Sequence, residues 1–85
     1  FLADSDPRIQ AMHQAYDDKN CEDLSSISHS FKGASGNISA LPLADLCCKI
    51  EEKAREEDLE GMSSLIAGVD DEYKNVRSIL LSLIS

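Results

Sequence analysis

Between positions 24 and 41 the apolar residues fall at Leu24, Ile27, Phe31, Ala34, Ile38 and Leu41, spaced three, four, three, four and three. This is the repeat of one helical face, sustained over about five turns, whereas a half-buried strand would alternate with period two. The same spacing recurs on either side. Ile9, Met12 and Tyr16 precede it; Leu43, Leu46, Cys47, Ile50 and Ala54 follow. A last run carries Met62, Leu65, Ile66, Val69, Tyr73, Val76, Leu80 and Leu83 on one face. Local chemistry punctuates the runs. Asp6-Pro7 reads as a helix start, Asn20 followed by Glu22 and Asp23 as an N-cap with an acidic first turn, and Pro42 as an opening residue. Asp58 interrupts the third run, and Gly61 and Gly68 weaken the first half of the fourth. Helices are therefore expected at about 6–18, 21–40, 42–57 and 59–84. Four amphipathic helices on short connections predict an all-α fold, an antiparallel up-down four-helix bundle, with 1–85 as a single domain.

Charge narrows the function. The chain has 85 residues, with 8 Lys+Arg against 16 Asp+Glu and a net charge of −8. Such a surface repels a phosphate backbone, and the absence of Trp leaves little to stack on bases, so no nucleic-acid partner is expected. No apolar run reaches the roughly 18–20 residues of a membrane span, so no membrane contact is expected either. Three cysteines cannot pair completely, and adjacent Cys47 and Cys48 lack zinc-ligand spacing. Cys47 is read as a small core residue and Cys48 as a rim residue, in a reducing compartment. The chain opens on Phe1 without a signal or transit segment, as expected of a domain cut from a longer protein or of a processed N-terminus. On the third helix, Glu51, Glu52, Lys53, Arg55, Glu56 and Glu57 read as a solvated face.

The second helix carries the unusual surface. His29 lies about 160° from both Ile27 and Phe31 on the helical wheel, so it faces away from the apolar seam. Lys32 and Gly33 stand one turn beyond it, then Gly36 and Asn37; Ser25 and Ser26 stand one turn before. Two glycines cost a helix roughly 0.8–1.0 kcal/mol each relative to alanine. An exposed face in this charge-rich chain would ordinarily carry Glu, Lys or Gln; here Lys32 is the one charge, and small residues leave room for a docking partner. A local choice that weakens the helix without structural gain points to a functional site. Histidine's reference pKa of about 6.5 leaves an exposed imidazole mostly neutral at cytosolic pH, with one ring nitrogen free to attack. A phosphoryl group on that nitrogen remains transferable, and phosphoryl transfer asks a protein mainly for positioning and charge stabilisation. His13, at the edge of the first apolar stripe and without a following Lys-Gly, reads as a hydrogen-bonded or half-solvated boundary residue.

His29-x-x-Lys32-Gly33-Ala34-Ser35, with Asn37-Ile38, Ala40 and then Leu46-Cys47 on the next helix, resembles the histidine phosphotransfer (HPt) domain. The likeness runs from about Leu24 to Ile84. It implies that His29 accepts the phosphoryl group, that Lys32 stabilises it, and that Gly33 gives the partner access. Ser25, Ser26, Gly36 and Asn37 then belong to the docking surface. One departure is Ser39, where the family usually has Gly. The resemblance further implies receiver domains of response regulators as partners and a monomeric cytoplasmic phosphocarrier with no ATP-binding site, no cofactor and no metal of its own. Mg²⁺ would sit on the receiver. A C-terminal module of a hybrid sensor histidine kinase, at the cytoplasmic end of a membrane-anchored chain, fits this pattern. Two other readings share the stripe: a helical module that binds a receiver without carrying phosphate, and the ATP-labelled phosphodomain of a chemotaxis-type kinase.

Overall fold

The computed structural model describes the backbone of residues 2–84 and the side chains of 4–83. Its helices are α1 (Leu2–Asp17), α2 (Cys21–Asn37), α3 (Leu41–Arg55) and α4 (Met62–Ile84). Each helix packs on the next along the chain and α4 returns against α1. This closes the expected antiparallel four-helix bundle, with extents of 41 × 19 × 19 Å. Met12, Leu24, Phe31, Leu43, Cys47, Ile50, Met62 and Val69 are wholly buried, so every helix contributes to one core. Truncating a residue such as Phe31 to Ala in a core of this kind costs about 3–5 kcal/mol.

The three short connections share one device. After α1, the Asn20 amide donates to the Ala15 carbonyl and the Lys19 amide to the Tyr16 carbonyl. After α2, Ala40 donates to Ser35 and Ser39 to Gly36; after α3, Asp58 donates to Lys53 and Glu57 to Ala54. Each pair is a Schellman ending, which satisfies orphan carbonyls by turning one residue left-handed. Lys19, Ser39 and Glu57 accordingly have φ of 55°, 60° and 56°. The residue that closes one helix also opens the next in two cases. Asn20 caps α2, its Oδ1 accepting from the Asp23 amide at 3.1 Å and its Nδ2 donating to the Asp23 carboxylate at 2.9 Å. Ala40 precedes α3, whose first turn contains Pro42.

Several boundaries differ from the sequence reading. α1 begins before Asp6-Pro7 and runs through the proline. The buried stripe of Ser5, Ile9, Met12 and Ala15 begins one residue before the expected start, and packing Ser5 into the core draws the turn around it into the helix. α2 stops at Asn37 rather than 40, because the chain turns left-handed at Ser39. Ile38 and Leu41 are therefore exposed instead of extending the seam. The inward face of α2 is also rotated. Leu24, Ser28, Phe31 and Ser35 are buried, while Ile27 and Ala34 lie half-buried on its flank. α3 ends at Arg55 rather than 57. α4 starts at Met62 rather than 59, and Gly61 lies outside it, with the positive φ of 73° that glycine adopts freely. Gly68 is inside α4, where an added Cβ would meet Leu46 Cδ1 at 3.3 Å; it lets α3 and α4 approach. At the far end of α4, Leu83 is exposed because the helix outruns the core.

Cys47 and Cys48 lie as expected, buried and half-buried, and burial pushes the Cys47 thiol up to about 12. His13 bridges α1 to α4, its Nε2 donating to Asp70 at 2.9 and 3.0 Å.

Ser39→Gly should stabilise the domain by up to about 1 kcal/mol, because glycine enters the left-handed region without the penalty a Cβ brings. Urea unfolding checks it, with a raised midpoint at unchanged slope.

Candidate functional site

At 100° per residue, His29 projects almost opposite the buried face of α2. Its side chain is 65% exposed, but the ring is held. His29 Nδ1 lies 2.8 Å from Oε2 of Glu51, on α3. The solvated reading of Glu51 is overturned: its side chain is only 3% exposed, sealed between α2 and α3. Glu51 stands one turn beyond buried Cys47 and next to buried Ile50, so the period of α3 carries it to the edge of the core. That spacing is present in the sequence; the acidic side chain masks it.

Burying a carboxylate is costly unless its lone pairs are met. Here three donors meet them. Lys32 Nζ donates to Oε1 at 2.7 Å, while His29 Nδ1 and Arg55 Nη2 share Oε2, each at 2.8 Å. Lys32 is thus not the one charge beside His29. The Lys32 hydrogen bond is foremost in holding the Glu51 carboxyl below the usual carboxylate range, with His29 and Arg55 acting the same way against the opposing effect of burial. Reciprocally, the bond to Glu51 raises Lys32.

This arrangement sets the tautomer. An ionised carboxylate only accepts, so His29 Nδ1 carries the hydrogen and, in the neutral ring, Nε2 keeps the free lone pair. Nε2 lies across the ring from the buried anchor, where an incoming group can reach it.

The other small residues of the stripe divide about His29. Ser25, Lys32 and Gly36 lie on its α3 flank, and Ser26, Gly33 and Asn37 on its α1 flank. Ser25 lines a shallow depression with Cys21, Glu22, Ala54, Arg55 and Glu57; Ser26 lines another with Pro7, Arg8, Ala11, Ile27 and Ser30. A Cβ on Gly33 or Gly36 would meet nothing within 4 Å, so no internal contact demands glycine at either position. Among the described residues, no group of three or more His, Cys, Asp and Glu side chains is arranged to hold a metal ion, and no helix is long and apolar enough to cross a membrane.

The depressed Glu51 titration has a definite sign. A carboxyl lowered on folding stabilises the native state above its unfolded value, and that contribution is lost as pH falls through the folded one. The Glu51 contribution should be fully present near neutrality and decline below about pH 4.5, the range in which an unfolded glutamate takes up its proton. Glu51→Gln should flatten that acid limb, as read by thermal melts between pH 3 and 7.

The family model described as the Hpt domain matches residues 1–79. No curated protein and no solved structure matches the chain.

Proposed function

Because the chain belongs to the Hpt domain family, whose members carry phosphoryl groups on histidine in phosphorelays and work with receiver domains, we propose that His29 accepts a phosphoryl group from the aspartyl phosphate of one receiver and passes it to the aspartate of another. The observation that carries this reading is the His29–Glu51 hydrogen bond. It supplies an exposed imidazole with the nucleophilic nitrogen already chosen.

The reaction follows from that geometry. The Nε2 lone pair attacks phosphorus as the bond from phosphorus to the aspartyl oxygen breaks, and the leaving carboxylate takes the electron pair. Nδ1 keeps its hydrogen, so the phosphorylated ring is an imidazolium. Glu51, fixed 2.8 Å from Nδ1, is placed against the positive charge that develops. A carboxylate set beside a histidine in this way orients the ring and stabilises its cationic form without taking the proton. In the reverse direction a receiver carboxylate attacks phosphorus, the bond to Nε2 breaks, and the ring returns to its neutral form. Mg²⁺ in this reading is held by the receiver's own carboxylates. The domain acts as a monomer.

Lys32 has a divided role in the proposal. Its ammonium is hydrogen-bonded to Oε1 and remains about one-third exposed, one helical turn from His29, and the exposed part draws in phosphoryl oxygens. Gly33 and Gly36 give a receiver's backbone access to Nε2. The open space above both positions supports that role.

The test is incubation with a phosphorylated receiver. Wild type should gain acid-labile, base-stable phosphate. His29→Gln should gain none while keeping its helical CD spectrum and melting point; normal labelling of that variant would remove the assignment. Glu51→Gln, which keeps a hydrogen-bonding group but loses the charge, should transfer at least about tenfold more slowly. Lys32→Ala should also be slowed, by about tenfold. Quenched-flow labelling separates both losses from unfolding.

A further inference from the structure

Arg55 stands on the acidic outer side of α3 and has a clear partner in Glu51, four residues back. Its guanidinium and the His29 ring meet the same oxygen, Oε2, so Arg55 Nη2 and His29 Nδ1 are no more than about 5.6 Å apart. The arginine is 66% exposed, held at its tip rather than by packing. Its only hydrogen bond among the described residues is the one to Glu51, which leaves most of its five donors turned to solvent. Counting charges around that carboxylate, Lys32 and Arg55 exceed Glu51 by one positive charge. That hydrogen-bonded cluster is therefore net positive, although Glu22 and Glu57 stand beside Arg55 and the whole chain carries −8.

We propose that Arg55 is a phosphoryl clamp, docked on Glu51 in the resting domain and turning onto a phosphoryl oxygen once His29 is phosphorylated. The inference rests on the phosphocarrier reading above. Phosphorylation adds a dianion at Nε2 and turns the ring into a cation that itself satisfies Glu51. The carboxylate then needs its other partners less, and the dianion offers them a stronger site. A guanidinium suits this exchange, because its planar fork pairs two N–H groups with two phosphoryl oxygens. Glu22 and Glu57, which line the depression beside Arg55, favour its staying near α3 and keep an unpaired dianion from settling there. Arg55 would touch the transferred group itself, and so would be a catalytic residue where Glu51 is a positioning one.

The probe is potassium phosphoramidate, which transfers its phosphoryl group to Nε2 with loss of ammonia: the bond from phosphorus to the ammonia nitrogen breaks, and the bond to Nε2 forms. It loads the whole domain without a cognate receiver. Phosphorus NMR then follows the last protonation of the phosphoryl group against pH. An adjacent cation lowers that value, so Arg55→Gln should raise it by about 0.5–1 unit or more, with Arg55→Lys in between. The phosphohistidine of Arg55→Gln should also hydrolyse several-fold faster, while its melting point stays near wild type. The decisive comparison uses a Glu51→Gln background. If Arg55 touches the phosphoryl group, the shift persists there; if it only steadies Glu51, the shift disappears. An unchanged titration in Arg55→Gln, or a shift lost in Glu51→Gln, overturns the clamp. A wild-type domain that phosphoramidate fails to load on His29 is a different failure, of the phosphocarrier reading itself, and the clamp falls with it.

Discussion

A carboxylate sealed between α2 and α3 organises this molecule. Glu51 cannot shed its charge into water, and three donors on two helices converge to keep it ionised. The bonds from Lys32 to Oε1 and from His29 to Oε2 fix how α2 sits on α3, while Arg55, on α3 itself, shares Oε2 with His29. A buried ion pair of this kind is weak evidence for stability, because well-packed apolar side chains often replace one at no loss. What an apolar residue cannot do is choose a tautomer. The cost of burying the charge makes sense as the cost of presenting one defined imidazole nitrogen to solvent.

The rest of the fold is arranged so that this pairing occurs at mid-helix and not at a frayed end. His29 stands near the middle of α2 and Glu51 in the last third of α3, with Leu24 and Phe31 clamping the opposite side of α2 into the core. The three Schellman endings keep the connections short, which limits how far neighbouring helices can slide. They do so with Lys, Ser and Glu in left-handed conformations, and strain of that kind is tolerated only where surrounding contacts over-determine it. Ser28 and Ser35 show the same tolerance: both are buried with no hydrogen-bond partner for the hydroxyl among the described residues. Their small side chains allow α2 close to its neighbours, and the unmet hydroxyls are the cost.

Much of this was legible from residue spacing. The periodicity identified four helices and set His29 opposite Phe31, and local residue chemistry identified the Asn20 cap and the Pro42 opening. The family's motif around His29, Lys32 and Gly33 carried the functional reading. What was hidden lay where side-chain type and burial disagree. Glu51 follows the apolar period of α3, but a carboxylate enters a core only if donors from another helix await it, and that pairing across 22 residues has no local signature. Serines standing in the α2 core misdirected the seam toward Ile27 and Ala34 for the same reason. The helix ends were obscured differently: Lys19, Ser39 and Glu57 do not resemble stop residues, and the family's preference for Gly at Ser39 becomes intelligible only with its φ of 60° in view.

The acidic surface also takes on a different meaning. A net charge of −8 suggests a protein that repels phosphoryl groups, yet at physiological ionic strength exposed charges are screened beyond about 8 Å. The charges tied to the His29 ring are Glu51, which it meets directly, and Lys32 and Arg55, each bonded to Glu51 at 2.7–2.8 Å. Their balance is positive. The formal charge of that hydrogen-bonded cluster is opposite in sign to that of the molecule as a whole. The outer carboxylates act mainly on approach and solubility. Gly33 and Gly36 complete the arrangement, because nothing lies within 4 Å of where their Cβ atoms would stand.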